Sequence, residues 1–118
     1  MSTLKEIIKR KANRKARLQT SLKSLKNQLI KFGAIKIILF GSFLKEEIDV
    51  NSDLDLLVIM PSSKTGKMWT NLIYENLERE ISTDFIVYNR EEFKEMLLNS
   101  SFIQNIVNIG RVIYEKIE

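Results

Sequence analysis

Ile35-Lys36-Ile37-Ile38-Leu39-Phe40-Gly41-Ser42, followed ten residues later by Asp53-Leu54-Asp55-Leu56-Leu57-Val58-Ile59-Met60, is the stretch that decides how this chain folds. Ile35 to Phe40 is a short apolar run rich in β-branched residues, bounded by Gly33 and Gly41. Leu54 to Met60 is a second, stopped by Pro61-Ser62-Ser63. Short apolar runs with turn residues at both ends read as buried strands. Between them Gly41-Ser42 breaks the first strand. Phe43 to Ile48 can open a short helix, and Asp49 to Asp53 is a polar loop.

Upstream, residues 3–31 lack Gly and Pro and are rich in Lys, Leu, Arg and Gln. Leu18, Leu22, Leu25 and Leu29 recur at one helical stripe. A long helix is expected there, packed in its second half and projecting in its first, with Gly33 as C-cap. Downstream, Met68 to Ile81 reads as a helix with Leu72, Ile73, Leu77 and Ile81 inward. Asp84 to Tyr88 reads as a third strand. Asn89 caps a helix over Arg90 to Leu98, with Glu92 completing a capping box. A further helix covers Phe102 to Asn108, and Val112 to Tyr114 offers a last edge strand. Strands alternating with helices give an α/β or α+β fold. The expectation is a small mixed β-sheet with its helices mostly on one side. One domain spans 1–118: a long basic helix over 1–31 and a core over 32–118.

Composition bounds the chemistry. Hydrophobic residues make up 44% and charged residues 29%, as in an ordinary globular chain rather than a disordered or fibrous one. No apolar run approaches the ~20 residues of a membrane span, and the polar, basic N-terminus reads as no signal peptide, so a cytoplasmic location fits. Without Cys or His, zinc-thiolate sites, disulfides and His-based triads are excluded. Any metal must sit among oxygen ligands, which points to Mg²⁺, Mn²⁺ or Ca²⁺. Charge is split along the chain: residues 1–45 carry a net +11 and residues 46–118 a net −7, for a total of +4. Lys9-Arg10-Lys11, Arg14-Lys15 and Arg17 form the densest basic run. Such a run solvates a helix face, meets an acidic partner or binds a polyanion such as RNA. No aromatic residue lies between Ser2 and Lys31, so no stacking platform for single strands is present there.

The candidate chemistry gathers after the first strand. In extended backbone, residues two apart share a face, so Asp53 and Asp55 project together while Leu54, Leu56 and Val58 face the core. Neighbouring carboxylates raise each other's proton affinity unless a cation lies between them. Mg²⁺ is held by one or two carboxylates plus substrate phosphates. Asp84 opens the third strand and reaches the same sheet end if that strand pairs beside the others. Three such carboxylates can hold two metals, the arrangement used in phosphoryl and nucleotidyl transfer. Gly41 permits close backbone approach, Ser42 can donate to a phosphate, and Lys45 adds a point charge. Singly, each feature is commonplace: a Gly-Ser turn, an Asp at a strand start, a surface Asp. Their order on these elements carries the reading.

Ile38-Leu39-Phe40-Gly41-Ser42, ten residues, then Asp53-Leu54-Asp55-Leu56-Leu57-Val58, with Ser52 before Asp53, resembles the signature of the polymerase-β-like nucleotidyltransferase superfamily. It looks most like the minimal nucleotidyltransferase branch, and the resemblance covers about residues 30–116. Ile109-Gly110-Arg111-Val112-Ile113-Tyr114-Glu115 is similar to how these domains end. Where many members carry Ala-Arg-Gly after Gly-Ser, this chain has Leu44-Lys45-Glu46. The resemblance implies a nucleotidyltransferase fold and transfer of a nucleoside monophosphate, usually AMP from ATP, to a hydroxyl. It implies Asp53 and Asp55 bridging two Mg²⁺ ions, and Asp84 on the ion that activates the acceptor. It also implies a partner: a small helical protein of the HEPN type, in a toxin–antitoxin pair whose nucleotidyltransferase adenylylates the toxin.

Two other functions fit the same residues. One is a non-catalytic module that neutralises a partner by occlusion, suggested by Glu46 and the basic helix. The other is a nucleotidyltransferase acting on RNA, through the +11 N-terminal segment, or on a small molecule. The Leu18 to Leu29 stripe reads as core before interface.

Overall fold

The computed structural model describes residues 3–41 and 53–117. The short helix expected over Phe43 to Ile48, the loop before Asp53, and the candidate residues Ser42 and Lys45 lie outside the described residues.

Helix α1 spans Leu4–Phe32. Its start is fixed by a capping box: the Thr3 hydroxyl accepts from Glu6 N at 3.2 Å, and Thr3 N donates to the Glu6 carboxylate at 3.2 Å. Its end is fixed by Gly33 at φ 106, whose N–H bonds Ile30 O at 3.0 Å. Only its second half packs: Leu18, Leu25 and Leu29 are buried, while Leu4 and Ile8 stand 74% and 59% exposed. The fold is accordingly elongated, 53 × 30 × 24 Å.

Four strands form one mixed sheet: β1 (Lys36–Phe40), β2 (Leu54–Met60), β3 (Thr83–Asn89) and β4 (Arg111–Glu115), in the order β3-β2-β1-β4. β1 runs antiparallel to β2 and β4, and β2 runs parallel to β3. A parallel pair needs a crossover. Helix α2 (Gly66–Asn76) supplies it. Helices α3 (Arg90–Asn99) and α4 (Ser101–Ile109) join β3 to β4.

The helices cover both faces of the sheet, not one. Leu54, Leu56, Val58 and Met60 pack with Leu18, Leu25 and Leu29 of α1 and with Trp69 and Ile73 of α2. Leu57 and Ile59 point the other way and pack with Ile103 and Ile106 of α4, flanked by Phe93 and Met96 of α3. β2 is therefore apolar at every position but Asp55, as a strand buried on both faces must be.

α2 begins two residues earlier and ends five residues earlier than its apolar spacing suggests. Leu77 leaves the helix in extended conformation. Gln28 of α1 holds the chain beyond it with two bonds, donating to Glu78 O at 3.0 Å and accepting from Glu78 N at 2.9 Å. Leu77 and Ile81 are still buried, but from an irregular segment. The N-termini of α2 and α3 are tied together. One Glu92 carboxylate oxygen accepts from Asn89 N at 2.8 Å and from Gly66 N at 2.9 Å.

Candidate active site at one end of the sheet

Topology brings four sequence-predicted residues to one sheet end: Asp53, Asp55, Asp84 and Gly41. Asp55 lies opposite Phe40 on β1 and directly in register with Asp84 on β3. Asp84 shares its face with Ile86 and Tyr88, which pack on the same side as Leu57 and Ile59. Asp55 is on that face too, since it alternates with Leu54 and Leu56. Asp53, two residues before Asp55, is half-buried at the strand mouth. Gly41 immediately follows β1 at φ 83.

Gly41 is needed twice. Its left-handed backbone disfavours an L side chain, and a β-carbon there would overlap Asp55 Oδ2. The end of β1 therefore lies against the Asp55 carboxylate, a closeness that only glycine permits.

Asp55 holds its proton more tightly than an ordinary carboxylate. Burial is the main cause, and the negative charges of Asp84 and then Asp53 add to it. The charges of Asp84 and Asp53 thus both act on Asp55. Among the described residues no group of three or more acidic side chains is gathered closely enough to hold a metal ion as it stands. A cation would have to draw them together. Three points fit one: the donors are all oxygens, they share a face and a sheet end, and their mutual repulsion is what a divalent ion relieves.

The start of β3 is braced by a residue the sequence reading passed over. Phe85 N donates to the Tyr74 hydroxyl at 3.1 Å, satisfying an edge-strand N–H next to Asp84. The Tyr74 ring meets Phe85 edge-to-face at 5.3 Å, and the Arg79 guanidinium lies over it at 4.7 Å. Tyr74, Arg79, Glu80, Ser82 and Asp84 line an open depression of about 350 Å³ that reaches the acidic end from the β3 edge. Only long-range pairing of α2 with β3 brings Tyr74 there, so no local signal marks it. A second cavity of about 350 Å³, between Ile35, Ile59, Phe93 and Leu97, lies at the opposite end of the sheet and takes no part in this site.

Among the described residues no helix is long and apolar enough to cross a membrane.

A mixed sheet with acidic residues at paired strand starts, beside a glycine bend, defines the class. The profile of the polymerase beta nucleotidyltransferase family matches residues 23–118. The chain belongs to that family. Its fold is similar to a Sulfolobus solfataricus crystal structure carrying a provisional nucleotidyltransferase assignment. The two share a TM-score of 0.63 and 13% identity over 89% of this chain and 86% of that one, a likeness of fold. No curated protein matches the chain in sequence.

Proposed function

We propose that this chain moves a nucleoside monophosphate, AMP from ATP, onto a hydroxyl of a partner protein, as the antitoxin of a HEPN/MNT-type pair. The observation that carries the transferase reading is the in-register placement of Asp84 beside Asp55, with Gly41 against the Asp55 carboxylate. The partner and the nucleobase come from the sequence resemblance to minimal nucleotidyltransferases.

Asp53, Asp55 and Asp84 would hold divalent cations, Mg²⁺ in the first instance. Bound there, such ions neutralise phosphate charge and lower the pKa of the acceptor hydroxyl. The chain's own residues supply placement. Gly41 lets the triphosphate approach the backbone, and Asp84 on the edge strand faces the open depression through which an acceptor would enter. In the reaction the acceptor oxygen bonds the α-phosphorus, the bond from that phosphorus to the bridging oxygen breaks, pyrophosphate leaves, and the hydroxyl proton passes to solvent. No histidine base is needed.

The test is mass spectrometry of the protein encoded beside this chain after incubation with it, ATP and Mg²⁺. An added AMP on the partner, lost with Asp55→Asn, supports the reading. Full neutralisation of the partner by Asp53→Asn/Asp55→Asn, without any modification, would favour the occluding module instead.

A further inference from the structure

Among the described residues β4 is one of the sheet's two outer strands and pairs with β1 alone. Among the described residues its other edge has no strand beside it. Such an edge offers a row of backbone donors and acceptors to another chain. Next to it runs a groove of about 410 Å³, lined by Gln19, Leu22, Lys23, Lys26, Arg111, Val112 and Ile113.

Two features of the groove are specific. First, its three charges are all positive, and Lys23, Lys26 and Arg111 have no acidic partner among the described residues. Second, the register between β1 and β4 shifts where Ile38 faces Val112 and Ile37 faces Tyr114, leaving Ile113 as an extra residue. In a regular strand Val112 and Ile113 would point to opposite faces. The bulge lets both line the groove. Among the described residues the edge thus combines free backbone pairing, two aliphatic side chains and a cluster of cations without acidic partners.

We propose that this edge docks an acidic, extended segment of a protein partner, added to β4 as a fifth strand. Strand addition supplies affinity through main-chain bonds and specificity through alternate side chains. Here the groove-facing positions of the added strand would carry carboxylates, whose heads meet Lys23, Lys26 and Arg111 and whose methylenes cover Val112 and Ile113. A second copy of this chain fits poorly, because a two-fold pairing of β4 edges would bring Lys23 and Lys26 near their own counterparts. RNA fits poorly, because the groove's apolar wall has no aromatic platform for bases.

The docked strand would also be aimed at the site. Arg111 pairs with Leu39, one residue from the strand end at which Asp55 lies opposite Phe40. At about 4.8 Å between strands, a fifth strand lies roughly 14 Å from β2. Some four extended residues cover that span. The consequence for transfer rests on the function proposed above, but the docking does not, and it is read without nucleotide.

The experiment uses the full chain with two short fluorescent peptides, one alternating Glu with Val and one alternating Lys with Val, followed by anisotropy and by amide exchange across β4. The expected result is binding of the acidic peptide roughly tenfold tighter than the basic one, with slowed exchange in residues 111–115. Lys23→Glu/Lys26→Glu and, separately, Arg111→Glu should weaken it at least tenfold, with unchanged circular dichroism, while Lys67→Glu leaves it unaltered. Four results overturn the proposal: equal binding of the two peptides, indifference to the charge reversals, tighter competition by a single-stranded RNA oligomer at equal salt, or β4 protection that grows with protein concentration alone.

Discussion

Gly41 and Asp55 occupy one another's space: the bend that ends β1 passes so close to the β2 carboxylate that a methyl group on Gly41 would land on Asp55 Oδ2. Gly41→Ala therefore both strains the backbone and displaces the carboxylate. The left-handed conformation alone costs about 1–2 kcal/mol. Transfer should fall further than stability does, by about 100-fold, because small misplacements at a reacting centre are costly. Steady-state rates set beside thermal unfolding midpoints measure the two losses separately.

Asp55 carries a pH signature. Its native proton affinity is raised by burial and by Asp84 and Asp53. As pH rises from the ordinary carboxylate range, the unfolded chain releases this proton first, so folding stability declines until the native group has ionised. Asp55→Asn should then be more stable than the wild type at neutral pH, and the advantage should vanish in acid below the ordinary carboxylate pKa. Unfolding midpoints across that range check it. Transfer by the same variant should be abolished.

Metal dependence is the second half of the same electrostatics. If a divalent ion relieves the repulsion, Mg²⁺ with a non-hydrolysable ATP analogue at about 100 times its dissociation constant should stabilise the wild type by about 2.7 kcal/mol. Asp53→Asn/Asp55→Asn should show no shift. Chelation with EDTA should return the wild type to its ligand-free midpoint.

Tyr74→Phe isolates the brace under β3. Loss of the hydroxyl removes one hydrogen bond to Phe85 N, a cost of about 0.5–1.5 kcal/mol. The start of β3 should exchange its amides faster, and transfer should fall because Asp84 sits one residue away. Unchanged transfer with faster exchange would show that Asp84 does not depend on this brace.

Gln28→Ala tests the wall of the depression from its far side. It removes both bonds to Glu78 and should cost about 1–2 kcal/mol. The segment it clamps carries Arg79, Glu80 and Ser82 of the depression, so transfer should fall with it, read as a rise in the KM for the acceptor.

Much of the fold could be read from local pattern. The bounds of β2 follow from an apolar run closed by Pro61, and those of α3 from Asn89 and Glu92, because both signals are short-range. The end of α2 could not be read that way, since Leu77 and Ile81 keep helical spacing while a tertiary clamp by Gln28 pulls the chain out of the helix. The two-sided cover of the sheet was present in Leu57 and Ile59, which need an apolar neighbour on the face Asp55 shares. Asp53, Asp55 and Gly41 stand out in sequence through spacing alone. The neighbour relation of Asp84 depends on β3 pairing parallel to β2, which strand pattern does not specify.

Anomalous diffraction from crystals grown with Mn²⁺ and a non-hydrolysable ATP analogue tests the central claim most directly. The expected result is a pair of peaks about 3.5–4 Å apart, bounded by Asp53, Asp55 and Asp84, with the triphosphate against Gly41. Nucleotide bound with no metal peak within reach of Asp55 and Asp84 would contradict it.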